Sequence, residues 1–137
     1  MINQANIIID PKQALDGYSN ILVSDIGAVT NGYVQNLICN VLDQLTFDQR
    51  NQVFVEALKK LCDGGVLTTK FMNLSLLPNK INSGDITGQK LSEILISIQS
   101  CWSENEFSMI MSQMKGYSIT KLFHDMIYTV VTIQKTK

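Results

Sequence analysis

The sequence predicts an α/β fold: a mostly parallel, doubly wound sheet with helices on both faces and an antiparallel hairpin at its C-terminal end. Three observations predict it. Short apolar runs at Ile7–Ile9, Asn20–Ser24 and Gln35–Asn40 each end at an acidic or amide residue, and their apolar residues are continuous, as in strands covered on both sides. A strongly amphipathic stretch then separates the third run from a fourth, Val66–Met72. Finally, residues 118–135 hold two strand-like runs with no room for a helix between them, which makes them an antiparallel pair.

The elements follow in order. Ile7–Ile9 is β-branched and stops at Asp10-Pro11; Asn20–Ser24 stops at Asp25; Gln35–Asn40 follows the turn signal Asn31-Gly32. Thr46-Phe47-Asp48-Gln49 has the form of a capping box, and Phe47, Phe54, Leu58 and Leu61 then share a helical face. Asp48 in the first turn and Lys59 and Lys60 in the last suit the helix dipole. Gly64 and Gly65 are read as the stop of this helix, placed directly before the strand Val66–Met72. Residues 73–86, with Pro78 and a Ser-Gly pair, read as a long connection with a short helix. Leu91, Ile94, Leu95 and Ile98 recur at helical spacing, and Ser103-Glu104-Asn105-Glu106 caps a last helix carrying Phe107, Ile110, Met111 and Met114. Two strands, Ile119–His124 and Met126–Gln134, close the chain, with the turn near Asp125. No linker or repeat divides residues 1–137, so one domain is expected.

Composition excludes several function classes. Eleven Lys and Arg against twelve Asp and Glu leave no basic stripe, so nucleic acid is not expected as a partner held by charge. The apolar runs are too short to span a membrane, and MINQAN lacks the form of a secretory signal. Cys39, Cys62 and Cys101 are widely spaced, which points to reduced thiols in a cytoplasmic protein. His124 is the only histidine and has no second soft ligand near it in sequence, so no metal site is expected. No G-x-S-x-G elbow exists for a hydrolase, and His124 is read as structural.

The stretch from Asn20 to Phe71 resembles the second half of a class I S-adenosylmethionine-dependent methyltransferase. Asn40-Val41-Leu42-Asp43-Gln44-Leu45 is similar to the family's "hvLEHL" turn, and Leu61-Cys62-Asp63-Gly64-Gly65 to its "LKPGG" helix end. The tail from Trp102 through Gly116-Tyr117 resembles its last helix, "GF" turn and closing hairpin. The resemblance implies a Rossmann-like sheet that lacks the family's first strand and G-x-G cofactor loop, since only six residues precede Ile7. Those glycines let backbone amides approach the cofactor's methionine end. Either Ile7–Ile9 then closes up against Gln35–Asn40, or another chain fills the gap.

Residue by residue, the resemblance sets Asp10 at the cofactor's ribose, Asp25 near its adenine, and Asn40 and Asp43 at the catalytic pocket. Each also has an ordinary reading, Asp10 and Asp25 as strand-ending turn residues, Asn40 and Asp43 as backbone caps. The expected function is that of a methyltransferase-like protein, its S-adenosylmethionine binding impaired or lost, with a small-molecule methyl acceptor if active. The alternative is a non-catalytic module that self-associates or completes its sheet with a partner chain.

Overall fold

The structure is a computed structural model that describes residues 1–136. Strands β1 (Ile2–Ile8), β2 (Ser19–Leu22), β3 (Val34–Cys39) and β4 (Leu61–Met72) are parallel; β5 (Tyr117–Asp125) and β6 (Tyr128–Lys135) form the hairpin. The sheet order is β2-β1-β3-β4-β6-β5, with β6 antiparallel to both of its neighbours. Helices α1 (Phe47–Lys60), α2 (Leu77–Asn82), α3 (Gly88–Ser97) and α4 (Glu104–Gln113) complete the fold, with 3-10 segments at Pro11–Gln13, Val23–Ala28, Leu42–Gln44 and Leu74–Leu76.

The seam between β1 and β3 is closed by this chain itself. The two strands pair directly in parallel from Ile2 opposite Val34 to Ile7 opposite Cys39. No other chain is needed to bridge them. The connection between β1 and β2 carries only the turn Pro11–Gln13 and is held by amides instead of a helix. Buried Asn6 donates to the Gln13 carbonyl and to Asn20 Oδ1, each at 3.1 Å, while Asn20 accepts from the Leu15 amide.

Residues in register share a face of a sheet. On one face Ala5, Leu37, Leu67 and Ile133 lie side by side, then Ile7, Cys39, Thr69 and Val131, all buried. Helix α1 supplies Phe54, Ala57 and Leu58 to this layer and α4 supplies Phe107. Trp102 sits at its centre, edge-on to Phe54 at 5.2 Å and to Phe71 at 5.0 Å. The opposite face presents Gln4, Asn36, Val66 and Gln134, then Asn6, Ile38, Thr68 and Thr132; apart from Asn6 these are exposed or half-buried. Helix α3 covers only the end of that face, packing Leu91 and Ile94, with Ile98 just past the helix, near Met72 and Tyr128. Helical cover is therefore uneven, and the strands are less apolar on one side than their short runs suggested.

Boundaries moved most at the glycine pair. Helix α1 ends at Lys60 because Leu61 turns extended, its amide bonding only to the Leu58 carbonyl. Gly64 and Gly65 lie inside β4, where pairing with β3 slips from Val34–Leu61 to Asn36–Val66. Gly64 takes φ +76 within this bulge, and a Cβ on Gly65 would stand 2.8 Å from the Cys62 carbonyl oxygen. The pair re-aims a strand and does not stop a helix. Phe47 is 54% exposed, lying over the Arg50 guanidinium and outside the apolar face of its helix.

Candidate functional site

Open α/β sheets bind ligands beyond the carboxyl ends of their parallel strands. Here a cleft of about 330 Å³ at the ends of β3 and β4 is lined by Asn40, Asp43, Gln44, Lys70, Ile98 and Tyr128. Asn40 follows β3 directly and is exposed. Asp43 and Gln44 come from the 3-10 turn Leu42–Gln44, whose Leu42 is pinned in the core and so orients its neighbours. Lys70 reaches in from β4, its Nζ 4.6 Å from the centre of the Tyr128 ring.

Asp43 is both part of the cleft and part of the frame. Its Oδ2 accepts from the Met72 amide at 2.8 Å, and its carbonyl accepts from the Gln99 amide at 2.8 Å. Three chain segments meet there. Oδ1 is buried and has no hydrogen-bond partner among the described residues. Burial pushes the carboxyl up to about 6, against the opposing pull of the Met72 amide, Arg50 and Lys70. Arg50 is fully buried, its guanidinium 4.4 Å from the Trp102 ring, and none of its three nitrogens makes a hydrogen bond among the described residues. Burial likewise raises the Tyr128 hydroxyl, with the Asp43 charge adding to it.

Of the residues singled out in the sequence, Asn40 and Asp43 share this cleft; Asp10 and Asp25 do not line it. Asp10 caps the turn Pro11–Gln13, with Oδ1 accepting from the Lys12 amide at 2.9 Å. Asp25 lies exposed in the 3-10 segment Val23–Ala28. Lys70 and Tyr128 escaped the sequence reading. Lys70 left a signal, as the one charge in an otherwise uncharged run from Val66 to Met72.

Gln13, in the turn after β1, donates from Nε2 to Gln44 Oε1 at 3.0 Å, tying that turn to the one after β3 directly above the β1–β3 seam. Asp10, the expected ribose partner, already spends one oxygen on its cap. Among the described residues, no group of three or more His, Cys, Asp or Glu is placed to hold a metal ion, and no helix is long and apolar enough to cross a membrane.

The strand order and the closing hairpin define a class I methyltransferase-like fold. No family model matches the chain, and no curated protein matches it. Solved structures do match. A possible exported protein from Bordetella parapertussis is 16% identical, with 98% of this chain and 54% of that one covered at a TM-score of 0.63. A S-adenosylmethionine-dependent methyltransferase from Thermotoga maritima, described as a possible histamine N-methyltransferase, is 8% identical over 99% of this chain and 83% of that one, TM-score 0.62. A complex between a Haloferax volcanii methyltransferase activator and the putative methyltransferase matches at 9% identity, 98% and 73% coverage and TM-score 0.62. The chain spans only 36% of an O-methyltransferase family protein from Burkholderia thailandensis. At such identities the likeness is one of fold.

Proposed function

We propose that this chain is a methyltransferase-like module that does not grip S-adenosylmethionine by itself. The direct pairing of β1 with β3 carries this reading. It leaves no space in the sheet for the strand and glycine turn that present backbone amides to the cofactor, and the Gln13–Gln44 bond crosses the same seam. The similarity to methyltransferase structures supports the lineage, and the cleft at Asn40, Asp43 and Tyr128 lies beyond the carboxyl ends of the parallel strands, where open α/β sheets hold their ligands. Alignment and exclusion of water dominate methyl transfer, so without a held donor the cleft has no reaction to perform. Isothermal titration with S-adenosylmethionine and S-adenosylhomocysteine tests the reading: no saturable heat is expected at micromolar protein. Clear micromolar binding would defeat it.

One observation favours a second reading, a non-catalytic module that pairs with its own copy. Edge strand β5 leaves Ile119, Leu122 and Phe123 between 43% and 45% exposed. Two copies of β5 set antiparallel about Phe123 would bring each Lys121 opposite the other's Asp125. Light scattering should then show a dimer that Phe123→Lys converts to monomer; a monomeric parent at high protein concentration removes this reading.

A further inference from the structure

A second cleft, of about 260 Å³, opens between α4 and the β5–β6 hairpin on the helix-covered face. Its floor is apolar, made by Phe71 and Phe107 with ring centres 5.0 Å apart, and Ile119 and Leu122 form a wall. Polar groups gather at one end. Asn73 Nδ2 donates to Thr129 Oγ1 at 3.0 Å, and the same hydroxyl shares a hydrogen bond with His124 Nδ1 at 2.9 Å. Nε2 stands 4.0 Å from Glu104 Oε1, beyond hydrogen-bond reach, and Asn73 touches the same oxygen only at 3.5 Å. Glu104 Oε2 accepts nothing among the described residues.

We propose that this cleft binds a small organic ammonium ion, its charge held by Glu104 and its apolar body laid on Phe71 and Phe107 between Ile119 and Leu122. The chemistry selects the class. A carboxylate with spare acceptor capacity attracts a cation and repels an anion. A neutral ligand leaves the carboxylate oxygen unmatched by charge. Covering Ile119 and Leu122, 43% and 45% exposed, removes apolar surface from water whatever the charge. The volume lies below the roughly 300–1,000 Å³ of pockets that take drug-sized molecules, so the body is no larger than a single ring or short chain. This site lies apart from the Asp43 cleft and does not rest on the methyltransferase reading.

His124 is the only histidine in the chain, so its ring signals report on the cleft without assignment ambiguity. The test titrates the intact protein with benzylamine, benzyl alcohol and benzoate while the His124 resonances are followed by NMR. Benzylamine should shift them saturably, benzyl alcohol should bind roughly ten-fold more weakly, and benzoate should not bind. Glu104→Gln should reduce the amine's affinity to that of the alcohol. Ser108→Trp, at an exposed position lining the cleft, should fill it and abolish both, while Glu93→Gln on α3 should change nothing. Equal binding of amine and alcohol to the parent protein, or unchanged amine affinity in the Glu104 and Ser108 variants, overturns the proposal.

Discussion

Two demands meet on the carboxylate of Asp43. One oxygen closes the hydrogen-bond account of β4 by taking the Met72 amide, and the other is buried without a donor. The folded protein therefore binds this proton more tightly than the unfolded chain, whose reference value is 3.8. The stability from this group is full below about pH 4, fades as pH rises through about 6, and is gone at neutrality. Asp43→Asn keeps an oxygen for Met72 and cannot ionise. Urea denaturation should find it more stable than the parent at pH 7, by on the order of 2 kcal/mol, with the difference vanishing near pH 4. Parallel curves for the two proteins would show that Asp43 does not titrate in this range. Asp43 and Asn40 were legible as candidates because the turn after β3 resembles a known motif. Their partner Lys70 was not, since its place beside Tyr128 depends on how β4 pairs with β6.

At the scale of elements, the glycine pair shows how a local rule can give the right residue and the wrong device. A helix ahead and a strand behind make Gly64-Gly65 read as a helix stop. Yet the helix stops at Lys60 through backbone conformation alone, and the glycines serve a bulge that lets β4 rejoin β3 in a shifted register. The two should respond differently to a methyl group. Gly64→Ala meets open space and carries only the left-handed penalty, about 1 kcal/mol. Gly65→Ala must push a Cβ against the Cys62 and Val34 carbonyl oxygens, at 2.8 and 3.0 Å, and should cost more than about 2 kcal/mol. Thermal melts of the two variants decide the matter; equal losses would mean the bulge yields freely. The caps were easier to read. Ser103 and Glu106 bond each other's backbone amides at 3.2 Å as their spacing requires, because a capping box needs nothing from the rest of the fold.

Across the whole molecule, β1, β3, β4 and β6 are paired on both sides, with β3 and β4 at the centre, while β2 and β5 are edges. Native-state hydrogen exchange should therefore be slowest in Leu37–Cys39 and Leu67–Phe71, and fastest in β5, whose residues from Ser118 to Asp125 are exposed. Protection of β5 equal to that of β3 would mean that another chain covers the edge. The uneven helical cover belongs to the same scale. With the β1–β2 connection reduced to a turn stitched by Asn6 and Asn20, much of one sheet face faces solvent, and its Gln, Asn and Thr residues suit that exposure.

The sequence by itself determined the element types, their order and the hairpin, since periodicity, caps and β-branched runs act between near neighbours in the chain. Only the tertiary structure decided that β1 closes on β3, that the Gln13–Gln44 bridge crosses the seam, and that Glu104 and His124 face one cleft. Each of those depends on which strands lie side by side and in what register, a choice made by burial summed over the whole sheet and by no single segment of it.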